Sequence, residues 1–449
     1  MPHTSPTSLI ISNRRKFLVT STLALSSPFV SKLSWAEGSP MQKLQYAAIG
    51  AGGRGAFDIG SMTRHKQIQM VAAADVDSSV RESVKGKHSG LETFADWRQM
   101  FSKMGKDIDV VTVSTPDHMH GIQAISAMNL GKHVYVQKPL AQNIGECRAM
   151  QEAAHRNKVV VQMGTQGASS FYDRMATGLV RAKWIGQVSE AWVMCGKTWG
   201  DNQPRPSGKD PVPEGLDWDG WLGVGPDRPY LKKYYHPKTW RRRQDFGSGT
   251  LGDMGCHIFN SMFRGLGLQA PRKVRSSTRV PNPDNWTGSE RVEYIFPGNE
   301  YTEGELKVTW VSGKHRPPKE LTDPIPEDTK YRYGCLLKGS EGTLLLRHGS
   351  PPMLLPVEKF TGVRPEKLPA LGHHQAFVDA AISGKQDQLM SPIDYATALT
   401  ETVLLGNVAM QYSPGWLEWD NELGKVTNNK EANHSIHREY REGWEIMEA

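Results

Sequence analysis

The stretch Tyr46-Ala47-Ala48-Ile49-Gly50-Ala51-Gly52-Gly53-Arg54-Gly55 joins a short apolar run to a G-x-G-x-x-G turn. The run reads as a buried strand, and residues 55–63 after it read as a helix. The glycines permit a tight turn and let the backbone come close to a bound group. The helix that follows offers unpaired N–H groups and the positive end of its dipole. A turn of this kind suits a pyrophosphate. Its weight comes from its setting. It lies between a strand and a helix, and Asp75, twenty residues after Gly55, closes the next strand, residues 68–74. A carboxylate there accepts hydrogen bonds from the ribose hydroxyls of an adenosine and repels a 2′-phosphate, which favours NAD over NADP.

Outward from this turn the same alternation continues. Helices are expected over residues 78–87, 96–104, 118–130 and 144–157, and strands over 108–114, 133–136 and 159–161. Residues 108–114 are almost continuously apolar, as a strand covered on both faces should be. Strands alternating with helices imply a parallel sheet with right-handed crossovers. Two further segments follow strand ends: Thr115-Pro116-Asp117-His118-Met119-His120 after Ser114, and Gln137-Lys138-Pro139 after Val136. Open sheets of this type bind ligands at those carboxyl ends. The expected cofactor contacts are therefore Gly50, Gly52, Gly53, Arg54, Gly55 and Asp75 at the first strands, and Ser114, Thr115, Pro116, His120, Gln137 and Lys138 at the later ones. Gln166, in Gly164-Thr165-Gln166 after the last strand, is added to them. A partly desolvated lysine beside a cationic nicotinamide has its proton affinity lowered, so Lys138 is also a candidate for proton transfer.

The second half reads differently. A helix over residues 171–183 and a strand over 187–197 precede an irregular stretch, residues 199–250. That stretch is rich in Pro, Gly, Asp and aromatic residues: Trp218, Trp221, Tyr230, Tyr234, Tyr235 and Trp240. These rings either offer faces to a sugar or pack the loop onto the domain. Arg241-Arg242-Arg243 forms a basic cluster suited to a local anion or to a solvated loop. Asp253-Met-Gly-Cys-His257 places a carboxylate and an imidazole at i and i+4, on one helix face. A carboxylate beside the ring would orient it and raise its proton affinity. Strands then recur over 273–280, 291–296, 305–311, 333–338 and 342–346, with helices over 372–383 and 392–411. The expected fold class is α/β, with an N-terminal Rossmann dinucleotide-binding domain. A C-terminal α+β domain carries an open, largely antiparallel sheet. No residues have the spacing of known zinc motifs, so no metal site is expected.

The chain has 449 residues and a formal net charge of +7. Residues 1–36 hold Arg14, Arg15, Lys16 and Lys32, no acidic residue, a mildly apolar stretch and Ser34-Trp35-Ala36. This is the three-part pattern of an export signal, and its paired arginines and diluted apolar region fit the twin-arginine route. Subtracting those four charges from seven leaves +3 on the remaining 413 residues, which removes most of the basis for expecting a nucleic-acid partner. No run of 18 apolar residues is present, so no stable membrane insertion is expected. Cys147, Cys195, Cys256 and Cys335 show no pairing or ligand spacing and are expected to be packing residues. The expected domains are 1–36, 37–162 and 163–449.

The quoted motifs, with Leu251-Gly-Asp253-Met-Gly-Cys-His257, resemble the Gfo/Idh/MocA (glucose–fructose oxidoreductase/inositol dehydrogenase) family. Pro213-Glu-Gly-Leu-Asp-Trp-Asp-Gly-Trp-Leu-Gly223 and Glu439-Tyr-Arg-Glu-Gly-Trp444 look like its secreted members. The resemblance implies an oxidoreductase for a carbohydrate or polyol hydroxyl, with catalytic residues Lys138, Asp253 and His257. Either Lys138 or His257 would take the hydroxyl proton. The family has Glu-Lys-Pro where this chain has Gln137-Lys138-Pro139, so one carboxylate is missing. Periplasmic or secreted placement after folded export would require the cofactor to be retained. Homo-oligomerisation is expected from a sheet covered by helices on one face. Two other readings stand beside this one. They are a redox-neutral glycoside-cleaving enzyme and a non-catalytic sugar-binding protein.

Overall fold

The computed structural model describes residues 43–363, 368–369, 371–412 and 414–448. The segment read as an export signal lies outside the described residues. Six parallel strands form the first sheet: β1 (Leu44–Ile49), β2 (Ile68–Ala74), β3 (Glu92–Phe94), β4 (Val110–Val113), β5 (His133–Val136) and β6 (Val161–Met163). Their order is β3-β2-β1-β4-β5-β6, so the winding reverses between β1 and β4, and ligands of such sheets bind at that reversal. The crossovers are α1 (Arg54–Met62), α2 (Ser78–Lys85), α3 (Trp97–Met104), α4 (His120–Asn129) and α5 (Ile144–Asn157).

Both faces of this sheet are covered, which explains the apolar run of β4. Val111 and Val113 pack toward Phe101, Ile122 and Met150, while Val110, Tyr46 and Tyr135 pack on the opposite face. Asp77, Asp96 and Asn143 cap α2, α3 and α5 by accepting backbone N–H bonds. The first turn of α1 has no side-chain cap; its N-cap is Gly53.

The second sheet has nine strands: β7 (Val188–Cys195), β8 (Lys273–Ser276), β9 (Arg291–Phe296), β10 (Thr302–Ser312), β11 (Tyr333–Gly339), β12 (Thr343–Arg347), β13 (Met353–Leu355), β14 (Leu417–Asp420) and β15 (Lys425–Val426). Every pairing is antiparallel except β7 with β10. Its helices are α6 (Phe171–Arg181), α7 (Trp218–Leu222), α8 (Gly249–Ile258), α9 (Asn260–Gly265), α10 (Lys319–Thr322), α11 (His373–Ser383) and α12 (Ile393–Tyr412). Strands β3, β13, β14 and β15 were not expected from the sequence; at two to four residues each they are too short for a period to register.

Two helices tie the sheets together. Fifteen of the 20 residues of α12 are buried, as suits a helix apolar all round, and it touches α5, α8 and β8. On α12, Glu401 accepts from Arg148 of α5 at 2.8 and 3.0 Å and from the Trp419 indole at 2.9 Å. Helix α11 returns to the first sheet, where Phe377 and Val378 join the core that includes Tyr46 and Tyr135. The cover of that face, begun by Ile59 and Met62 of α1, is thus completed by residues far along the chain.

Candidate active site

The glycine turn forms a cradle by close backbone approach. Gly50 has φ +82°, and a Cβ there would lie 2.8 Å from the Ser114 carbonyl oxygen, so a side chain would separate the ends of β1 and β4. A Cβ on Gly55 would strike the Gly50 carbonyl. At Gly53, φ +50°, nothing lies within 4 Å of an added Cβ. An uncapped helix start facing open space fits a pyrophosphate. Asp75 shapes the rim. Its Oδ2 accepts from the N–H groups of Ala51 and Gly52 at 2.8 and 3.3 Å, and its Oδ1 from Asp77 N–H at 3.0 Å. Burial raises its pKa in spite of those bonds. A carboxylate has about four acceptor sites, so capacity for ribose hydroxyls remains. These residues fit NAD: Gly50 to Gly55 would hold its pyrophosphate and Asp75 its ribose.

Gln137 is 4% exposed and turns inward. Its Nε2 donates to Asp58 Oδ2 at 2.8 Å, and Ser114 Oγ donates to the same oxygen at 2.8 Å. Asp58 lies on α1 and is 0% exposed; its Oδ1 is 3.1 Å from His374 Nε2 on α11. The amide at position 137 therefore faces a buried carboxylate supplied by α1. Asp58 was missed from the sequence because an Asp inside an amphipathic helix reads as solvated.

Lys138 and Asp253 meet as an ion pair. Lys138 Nζ donates to Asp253 Oδ1 and to the Asp253 carbonyl, both at 2.8 Å, with the side chains 13% and 9% exposed. Asp253 also accepts from the Trp199 indole at 2.7 Å, Arg241 Nε at 3.2 Å and Lys197 Nζ at 3.4 Å. Its own burial opposes ionisation, but Lys138, Arg241 and Lys197 together hold the carboxyl far below the usual carboxylate range. Gly255 lets α8 press on α12, since a Cβ there would lie 2.8 Å from Val403.

The expected pairing of Asp253 with His257 is not formed. The oxygens of Asp253 are taken by cations and the indole, and His257 Nδ1 is buried with no hydrogen-bond partner. The His257 ring lies 5.4 Å from that of His348. Burial, then the charge of Lys138, pushes its pKa well below the ordinary histidine value, which corrects the expectation of a raised proton affinity. The imidazole is neutral at neutral pH.

The loop aromatics pack against one another. Trp218 and Trp221 stack at 4.7 Å with an interplanar angle of 8°, and Tyr235, Phe246 and His118 complete the cluster. This settles the choice left open for Trp218, Trp221 and Tyr235: they anchor the loop. The anchored loop crosses the adenosine end of the cradle. Ser78 N–H donates to the Gly215 carbonyl at 2.9 Å, and Asp217 N–H to the Val76 carbonyl at 3.0 Å.

The other expected contacts are distributed unevenly. Thr115 Oγ1 donates to Gln123 at 2.7 Å, and Pro116 lies at the same strand end. His120 is 1% exposed, with its ring nitrogens 2.8 and 2.9 Å from the carbonyls of Pro139 and Thr115, so it braces two loops rather than facing a ligand. Gln166 Nε2 donates to Tyr135 Oη at 2.8 Å. Arg54 is exposed at the cradle mouth. Lys197 and Trp199 escaped the sequence reading because nothing local marks the end of β7. The four cysteines are buried and unpaired, and among the described residues no group of three or more His, Cys, Asp or Glu could hold a metal. Among them, too, no helix is long and apolar enough to cross a membrane.

The description "Oxidoreductase family, NAD-binding Rossmann fold" matches residues 44–165, and "Oxidoreductase family, C-terminal alpha/beta domain" matches residues 194–303. Levoglucosan dehydrogenase of Pseudarthrobacter phenanthrenivorans is 25% identical over 215 residues, 48% of this chain and 47% of that protein. An α-N-acetylgalactosaminidase of Shewanella oneidensis is 27% identical over 157 residues, 33% of this chain and 34% of that protein. These alignments span about half or less of the relatives' length. Among solved structures, aldose–aldose oxidoreductase of Caulobacter crescentus, complexed with glycerol, superposes with a TM-score of 0.56 at 16% identity, covering 84% of this chain and 100% of that one. An inositol dehydrogenase homologue of Azotobacter vinelandii, complexed with NADH and myo-inositol, gives 0.55 at 16% identity, covering 84% and 98%. At these identities the likeness concerns the fold.

Proposed function

This chain belongs to the Gfo/Idh/MocA oxidoreductase family, and from that footing we propose that it is an NAD-dependent oxidoreductase acting on a hydroxyl of a carbohydrate or polyol. One observation carries the reading. Lys138, at the carboxyl end of the first sheet, meets Asp253 of the second half at 2.8 Å, beside a neutral His257. The names of two relatives support the substrate class: levoglucosan dehydrogenase and the inositol dehydrogenase homologue.

Bound in the glycine cradle, NAD would supply the acceptor for the hydride that leaves the substrate carbon. Asp253 fixes the Lys138 ammonium through its carboxylate and its carbonyl. The ammonium then donates to the substrate oxygen and stabilises the negative charge that develops as the O–H proton leaves. His257, whose ring is held neutral, takes that proton as the hydride leaves; the Lys138 ammonium acidifies the hydroxyl and offsets the lowered proton affinity of the ring. The 213–223 segment, docked beyond Asp75, retains the cofactor. Retention is what a protein exported in folded form through residues 1–36 would need, since free cofactor is scarce outside the cytoplasm.

The test is direct. Denaturing the purified protein should release NAD or NADH. Adding sugars and polyols should then change absorbance near 340 nm in step with product. No cofactor and no hydride signal with any of them would overturn the reading. A second reading is a redox-neutral cycle that cleaves a glycoside, supported by the relative named α-N-acetylgalactosaminidase. Cleavage of a glycoside without net NADH would favour it.

A further inference from the structure

The proposed reaction uses one lysine and the carboxylate that fixes it, yet the site holds more positive charge than that pair needs. Lys197 Nζ and the guanidinium carbons of Arg241 and Arg242 lie 5.7, 5.5 and 6.0 Å from the Trp199 ring centre. Three cations therefore surround one indole, and that indole donates to Asp253. With Lys138 and Arg243 added, five basic side chains face two ionised carboxylates, Asp253 and Asp201. Arg243 uses Asp201 at 2.8 Å. A third carboxyl, Asp117, is bonded to Ser248 and faces Lys138 and Arg241, so the five basic side chains still outnumber the three carboxyls.

These cations differ in how firmly they are held. Lys138 is fixed by two 2.8 Å bonds. Lys197 is 46% exposed and reaches Asp253 only at 3.4 Å. Arg242 makes no ion pair among the described residues, and its buried Nε has no hydrogen-bond partner. A guanidinium that forms no ion pair, beside a loosely tied ammonium, is an anion-binding arrangement. A neutral sugar would leave that charge uncompensated.

We propose that the substrate is an anionic sugar, whose carboxylate or sulfate ester is bound by Lys197, Arg241 and Arg242 around the Trp199 indole. The proposal rests on the oxidoreductase reading for the placement of the reacting hydroxyl, and it names the substrate class of that same site. The anionic group is bound and oriented; it takes no part in the bond changes. A guanidinium presents two parallel N–H groups to either oxyanion, and Lys197 adds a point charge.

The experiment uses the full-length protein with its cofactor and matched sugars: D-glucose against D-glucuronate, and D-galactose against D-galacturonate and D-galactose 6-sulfate. Calorimetric binding should favour an anionic member over its neutral partner by at least about tenfold, a difference of about 1.4 kcal/mol. Raising sodium chloride should erode the preference. Whichever galactose derivative binds more tightly assigns the source of the anion. In Arg242→Met the preference should collapse, while the ratio in the unmodified protein stands whether or not that variant folds. Equal affinity for both members of every pair would overturn the proposal, as would an Arg242→Met loss shared equally by neutral and anionic sugars. Turnover separates the two readings. Anionic sugars that bind tenfold tighter yet give no hydride signal or product would leave the anion site and remove the oxidoreductase reading. Neutral sugars oxidised as efficiently as anionic ones would do the reverse.

Discussion

Gln137 Nε2 donates to Asp58 Oδ2 at 2.8 Å, and this bond ties the carboxyl end of β5 to α1. Asp58 is wholly buried and also accepts from Ser114. An amide at 137 donates to Asp58 without the repulsion that a second carboxylate at that distance would bring. Gln137→Glu should cost about 3 kcal/mol of stability, the scale of an uncompensated buried charge. Adding Asp58→Asn should restore most of it by exchanging donor and acceptor. Thermal melts of the three proteins measure this; a Gln137→Glu protein that melts with wild type removes the claim.

Lys138→Met and His257→Ala test the proton path. Each should lower turnover by roughly 10²- to 10⁴-fold, the usual span for general acid–base groups. His257 is not among the expected cofactor contacts, so the NAD released from His257→Ala on denaturation should match wild type. Near-normal turnover in one of them would acquit that residue.

Asp75→Ala should loosen the glycine turn, because the N–H donors of Ala51 and Gly52 lose their acceptor. Unpaired buried donors cost about 1–3 kcal/mol each. A lowered melting temperature, weaker NAD retention and a reduced preference over NADP are the expected outcomes. An unchanged dissociation constant for NAD would contradict the role assigned to this carboxylate.

Gly215 stands where the loop meets the cradle. It has φ +80°, and a Cβ there would strike Ser78 Oγ. Gly215→Val should therefore lift residues 213–217 from residues 76–78. Cofactor should be lost on gel filtration, and limited proteolysis should begin within residues 199–217. A protein that keeps its cofactor and resists the protease would show that this docking does not govern retention.

His118 is fully buried between Trp221 and Phe246, and burial pushes its pKa down to about 3. The unfolded chain protonates the ring near pH 6.5, so between about 6.5 and 3 the unfolded state binds the extra proton. Stability from this group is present above that range and is lost as pH falls, at about 1.4 kcal/mol per pH unit. His118→Phe keeps the ring shape and removes the titration. Relative to the variant, wild type should lose melting temperature as pH falls below 6.5. Parallel curves would refute the assignment. Glu290, raised to about 7 by burial, acts in the opposite sense and is common to both proteins.

Much of this site was legible along the chain because its signals are local. The glycine turn, Asp75 and Lys138 sit at strand ends, where spacing and residue type announce them. Asp253 and His257 share a helix face for the same reason, yet what each one touches does not follow from that spacing. Trp199 lies 54 residues from Asp253 in the chain, and His374 lies 316 from Asp58. The aromatic loop shows the same division. Its composition marked it, but only packing distinguished an anchor from a sugar platform.

Local periodicity and turn chemistry thus sufficed for the parallel sheet, the cradle and the two candidate proton-handling groups, because a few consecutive residues dictate backbone direction there. Which charge meets which carboxylate was settled when distant segments came together. The Coulomb and desolvation terms that hold Asp253 ionised, keep His257 neutral and seat Asp58 against Gln137 depend on separations of a few ångströms. Those separations exist only after α8, α11 and α12 have packed onto the two sheets.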